Sequence, residues 1–210
     1  MALSNLHQFE ASSARVSFDE PIQLHTLPVL TRQNLQKIAD AVVGIVPDEQ
    51  ESWIIRTSEL RPESGPPEIV DKVRRWADRG AKFLYYLQVI GQPDFDAIRK
   101  AYSDSRNRDK GKRAYARFIK RPLPPATEKP STCLYVGSSS NISLRLKEHL
   151  GFGASSTFSL QLAHWARGLH LELQFICAKY GGLATPDVYQ ALEDTLWDLA
   201  QPMFGRKGRR

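Results

Sequence analysis

The chain has 210 residues, 41% of them apolar and 25% charged, with a formal net charge of +6 from 29 Lys+Arg against 23 Asp+Glu. This is ordinary soluble usage, sufficient for a packed core, and no run approaches the roughly 18–20 apolar residues of a membrane span. The opening MALSNLHQFEASS lacks a charged-then-apolar signal pattern, and two cysteines, Cys133 and Cys177, cannot build a disulfide framework, so membrane, secreted and collagen-like classes are excluded and a reduced, cytoplasmic setting is expected.

In chain order, residues 1–30, with Pro21 and Pro28, read as irregular. Thr31 can cap a helix reaching about Ile45, in which Leu35, Ile38, Ala39 and Val42 recur at helical spacing. SWIIRTS (52–58) reads as a short strand, and Pro66-Pro67 opens a helix that Gly80 can stop. Residues 1–80 are thus a helical and strand extension ahead of a core at 81–210. KFLYYLQVI (82–90), dense in aromatic and β-branched residues and bounded by glycines, is a buried strand.

A basic insertion follows at 91–130. Residues 99–121 hold ten basic side chains against two acidic ones, a net of +8, and the last five residues add +4, which leaves the rest of the chain acidic. Such concentrated positive charge suits a polyanion, nucleic acid first, although a solvated helix face would carry the same pattern. A helix is expected near 95–103, a polar turn near 104–111, a further helix or strand, and a Pro-rich loop at 121–130. TCLYVG (132–137) is a strand ending in glycine, and SSSNISLRLKEHL (138–150) a helix with serine and asparagine capping chemistry. SSTFSLQLAHWARG (155–168) reads as a helix, LHLELQFICAK (169–179) as a strand, and 185–202 as a helix with proline at its start and past its end.

The helix at 141–150 carries the chemistry. Asn141, Arg145 and His149 are four apart and share a face, beside an apolar stripe of Ile142, Leu146 and Leu150. Tyr135-Val136-Gly137 ends the strand before it. In the last helix Val188, Leu192, Thr195, Leu196 and Leu199 form a stripe, with Glu193 at its edge. Singly, each of these polar residues is an ordinary surface group; their order and spacing together set them apart. Cys133 and Cys177 show no metal-ligand spacing and read as buried thiols.

LYVGSSSNISLRLKEHL resembles the second half of the GIY-YIG nuclease signature, and QALEDTLWDLAQPMFG resembles that family's last core helix. The resemblance spans about 82–205. It implies an α/β (α+β) core in which a small mixed three-stranded sheet is flanked by helices, and a Mg²⁺- or Mn²⁺-dependent endonuclease of double-stranded DNA. Among its members, stand-alone type II restriction endonucleases, often homodimers on DNA, are the most similar in size and layout. It further implies Tyr85 as general base or water-orienting group and Tyr135 as a water- or phosphate-positioning group. Arg145 would be the clamp on the scissile phosphate, His149 an aid to proton transfer or a holder of Tyr85, and Glu193 the metal ligand. Fifty positions separate Tyr85 from Tyr135, so Tyr86 and Tyr115 stay open as alternatives, and Gly205 stands where the family often has asparagine. The extension would bind DNA or dimerise. Arg106, Asn107, Arg108, Lys110, Lys112, Arg113 and Arg117 are the insertion's candidate DNA contacts, since Arg and Asn read guanine and adenine edges and Lys meets phosphate. A non-catalytic nucleic-acid-binding protein, or a repair, homing or antibacterial nuclease, could share this core.

Overall fold

The computed structural model describes residues 27–77, 79–119, 131–181 and 185–208. Expectations for residues 1–26, 120–130, 182–184 and 209–210, the Pro-rich loop and the last two arginines among them, lie outside the described residues.

The fold is α/β, but its sheet has four strands rather than three and is wholly antiparallel rather than mixed. Strands β1 (Glu49–Arg56), β2 (Lys82–Val89), β3 (Cys133–Ser139) and β4 (Glu172–Tyr180) lie in the order β1-β4-β2-β3. The extra strand is the SWIIRTS segment, which pairs along β4 from Glu49↔Lys179 to Arg56↔Glu172. Packing explains the addition. Leu173, Phe175 and Cys177 of β4 are fully buried, and β1 extends that apolar face with Trp53 and Ile55, Trp53 stacking on Phe175 at 5.8 Å.

Helices α1 (Leu27–Val42), α2 (Ile69–Trp76), α3 (Phe95–Arg108), α4 (Ile142–Leu150) and α5 (Pro186–Ala200) flank the sheet. Helix α3 runs five residues past its expected end, since Asp94 caps it through Ala97 N–H and Ser105 faces inward. The expected helix at 155–168 does not form. An irregular loop with two short 3₁₀ turns (Leu162–His164 and Arg167–Leu169) replaces it, because Gln161 and His170 adopt left-handed backbone at φ 57° and 50°.

The sheet separates two apolar layers. Phe83, Tyr85, Leu87, Tyr135 and Phe175 share the main core with Ile142, Leu146 and Leu150 of α4 and Val73 of α2. On the opposite side Val136 and Tyr86 meet Leu196 and Trp197 of α5. The buried side of α5 is therefore turned from the expected stripe: Val188, Tyr189 and Trp197 are buried, whereas Thr195 and Leu199 face outward. Glu193 sits four residues from both Tyr189 and Trp197, so it shares their face. No helix among the described residues is long and apolar enough to cross a membrane.

Candidate active site

Strand β3 forms one edge of the sheet, and the candidate residues gather around its outer end from both layers. Across the β2–β3 ladder Tyr85 pairs with Gly137 and Leu87 with Tyr135, which puts both phenols on the α4 side. Helix α4 begins with Asn141, whose side chain accepts from Leu144 N–H at 3.2 Å, and ends at left-handed Gly151. Asn141 thus serves as a cap, and only Arg145 and His149 of the expected polar face reach the tyrosines. With Ile142, Leu146 and Leu150 fixed in the core, those two side chains have no other direction to take.

The resulting cluster is compact. Arg145 Nε donates to Tyr85 Oη at 3.2 Å, its Nη2 to Tyr135 Oη at 3.1 Å, and its Nη1 to Glu148 Oε2 at 2.8 Å. Tyr85 Oη lies 2.9 Å from His149 Nε2, and the Tyr85 and Tyr135 rings stack at 6.2 Å. His149 is fully buried, and its Nδ1 accepts the Leu160 N–H at 3.2 Å. A nitrogen that accepts carries no proton, so the neutral imidazole is protonated on Nε2 and donates to Tyr85. Tyr85 Oη then accepts from two donors, and its own proton must point away from both.

Burial, then the Tyr135 phenol, push the Tyr85 phenol far above its ordinary value, against the opposing pull of Arg145. At neutral pH Tyr85 is therefore protonated in the free protein. Burial disfavours the Arg145 charge, but Tyr85, Tyr135 and Glu148 outweigh it, so the guanidinium pKa is raised.

Glu193 reaches the same end of β3 from α5, and Ser138 Oγ donates to its Oε2 at 2.5 Å. The carboxylate lies near enough to raise the Tyr85 pKa further. Among the described residues no three His, Cys, Asp or Glu side chains could together hold a metal ion. One oriented carboxylate does not fit a structural zinc site, but it fits Mg²⁺, which keeps several waters and takes one or two carboxylates plus substrate phosphates.

All five expected residues, Tyr85, Tyr135, Arg145, His149 and Glu193, thus converge. The alternative tyrosines do not. Tyr86 packs in the α5 layer, and Tyr115 bonds Ser105 and Asp109 at 3.0 and 2.6 Å. Gly205 is left-handed at φ 112°, and a Cβ there would come within 3.0 Å of both Tyr135 and Trp197, so it supports the Tyr135 ring by close approach.

Four of the seven candidate DNA contacts, Arg106, Lys110, Lys112 and Arg113, line an open groove of about 540 Å³ with Tyr115, Ser155, Ser156 and Phe158. Asn107 and Arg117 are exposed outside that lining. The Arg108 guanidinium is engaged locally, with Ser105 Oγ at 2.9 Å and the His164 carbonyl at 3.1 Å. In the C-terminal basic run Lys207 pairs with Asp198 at 2.5 Å.

Loop 155–161 was hidden by its helical reading, yet it fastens the site. Phe158 O accepts from Arg145 at 3.2 Å, Ser159 Oγ donates to Glu148 O at 2.9 Å, and Leu160 N–H fixes His149. Gly151 and Gly153, followed by SSTFS, are the sequence signal that argues for a loop there. No family model, no curated protein and no solved structure is matched by this chain.

Proposed function

We propose that the protein is a Mg²⁺-dependent DNA endonuclease of GIY-YIG type, acting in the cytoplasm on both strands of a duplex as a homodimeric, site-specific type II restriction enzyme. The observation that carries this reading is the convergence of Tyr85, Tyr135, Arg145 and His149 at the end of β3 where Glu193 arrives from the other layer. Four polar groups from three separate stretches of chain meet there in a largely buried cluster, which is costly unless the arrangement is used.

Each residue has a distinct task. Arg145, its charge reinforced by its neighbours, clamps the phosphoryl oxygens as negative charge develops. Tyr85 Oη orients the attacking water. Its own proton leaves outward to solvent, and the His149 and Arg145 N–H groups stabilise the phenolate so formed. The phenolate then takes up the proton of the attacking water, which regenerates the phenol. His149 acts as a donor and not as the base, because Leu160 occupies its other nitrogen. Tyr135 positions water or phosphate beside Arg145. Glu193, steadied by Ser138, would hold Mg²⁺, which when bound neutralises charge at the leaving oxygen.

The test is incubation of the purified protein with plasmid DNA and Mg²⁺, with Glu193→Ala alongside. The expected result is cutting by the wild type, discrete product ends on sequencing, and none from the variant or in the presence of EDTA. Binding without cutting across many DNA sequences would sink the enzyme and leave a binding protein. Scattered ends would retain the nuclease and remove the restriction role.

A further inference from the structure

The exposed ring of Phe158 stands on the wall of the basic groove, one hydrogen bond away from Arg145. Its residue is 64% exposed, although burial of so large an apolar ring is favourable. Lone exposed apolar residues are common and need no explanation. This one differs in how its backbone is held. Phe158 O accepts from Arg145 Nη2, and the next residue, Ser159, is fixed through its hydroxyl to Glu148 O and through its carbonyl to Ala116 N–H at 2.7 Å. Gln161 closes the loop by accepting from Arg113 at 3.0 Å and donating to Ala114 O and Thr157 O.

Around the ring the groove offers Arg106, Lys110 and Lys112, all exposed and without a carboxylate partner among the described residues. At about 540 Å³ it falls in the roughly 300–1,000 Å³ range of small-ligand sites. An exposed aromatic ring on a fixed backbone, bordered by unpaired cations, is the chemistry that holds single-stranded nucleic acid: the ring stacks on a base and the cations follow its phosphates. A fully stacked duplex offers no base face to such a ring.

We infer that the groove binds an unstacked nucleotide on Phe158, a base extruded from the duplex next to the phosphate gripped by Arg145, so that DNA whose base is already single-stranded or extrahelical is bound more tightly than a fully stacked duplex. This deepens the nuclease reading and rests on it for the role of Arg145. Binding by the groove itself is measurable without cleavage.

The experiment is a fluorescence titration of the full chain, in EDTA, with oligodeoxynucleotides carrying 2-aminopurine in a single strand, in a one-base bulge or in a matched duplex. Wild type should quench the probe in the first two and bind them more tightly than the duplex. Phe158→Ala should abolish the quench and weaken binding by about 5- to 150-fold, the range set by the 1–3 kcal/mol of one stacked base. Phe158→Tyr should restore both. Preference for the matched duplex, equal affinity of Phe158→Ala and wild type, or displacement of the oligonucleotide by an equal concentration of polyglutamate would each overturn the proposal. Plasmid cleavage with Mg²⁺ on the same preparations keeps the two readings apart. A quench without cutting removes the nuclease, and cutting without a quench removes the groove's role.

Discussion

Tyr85 and Gly137 face each other across the β2–β3 ladder, and the phenol lies over the glycine: a Cβ on Gly137 would sit 2.7 Å from Tyr85 Oη and 2.9 Å from Tyr135 Cε1. The missing side chain is what lets two tyrosines from neighbouring strands converge on one arginine. Gly137→Ala should therefore push both rings off Arg145. The expected cost is about 1–3 kcal/mol of stability from overpacking and on the order of 10²-fold in cleavage from misplacement. Denaturant unfolding and plasmid cleavage measure the two effects. An alanine variant with wild-type cutting would remove the close approach from the mechanism.

Three tyrosines compete in the sequence for one role, and conservative substitutions separate them. Tyr85→Phe removes the oxygen shared by Arg145 and His149 and should lower the cleavage rate by about 10²–10⁴-fold, the range for a lost general base. Tyr86→Phe and Tyr115→Phe, outside the cluster, should cut within a few-fold of wild type. Circular dichroism of all three checks that the fold survives. Equal loss in Tyr115→Phe would transfer the role to the insertion.

Much of this site was legible because it depends on short-range periodicity. Arg145 and His149 are one helical turn apart, and Ile142, Leu146 and Leu150 fix which way that turn faces, so one short helix decides the orientation. The fourth strand was less legible. A strand such as β1 is visible locally, but its pairing with β4 closes a loop of more than a hundred residues that no local pattern encodes. The setting of Glu193 depends on Tyr189 and Trp197 being buried on α5, a choice made by distant partners: Tyr86 and Val136 receive Trp197, and Tyr180 receives Tyr189. The helix expected over 155–168 is stopped by tertiary contacts: the left-handed Gln161, held by three side-chain hydrogen bonds to the insertion and its own loop, breaks it only in the folded protein.

Lys110 and Lys112 are exposed on the groove and should act as phosphate contacts. Replacing both with glutamine should weaken DNA binding with little regard to sequence. It should also lower the slope of log affinity against log salt by about 2, near 0.9 for each phosphate released on duplex and 0.7 on single strands. Filter binding across a salt series without Mg²⁺ reads the slope. Because neither side chain is packed, thermal stability should stay at the wild-type value. A slope identical to wild type would place the DNA on another face of the molecule.

Cys177 pairs with Tyr85 on the strand behind the site and is fully buried. Burial lifts its thiol from 9.0 to about 12. In the unfolded chain the thiol ionises at the lower value, so the folded form holds its proton where the unfolded form has released it. A raised folded pKa contributes stability that is complete below about pH 9 and lost as pH rises toward 12. Over that window this one thiol costs up to about 1.4 kcal/mol per pH unit. Tyr102 and Tyr115, both pushed up to about 12, add to the same alkaline decline but do so equally in any Cys177 variant. Cys177→Ala should lower stability by roughly 1 kcal/mol at every pH through lost packing and should flatten the decline above pH 9. Urea unfolding from neutral to alkaline pH separates offset from slope. Parallel curves for wild type and variant would mean that the thiol is not protonated in a dry core, and the close packing of β4 against Tyr85 would have to be redrawn.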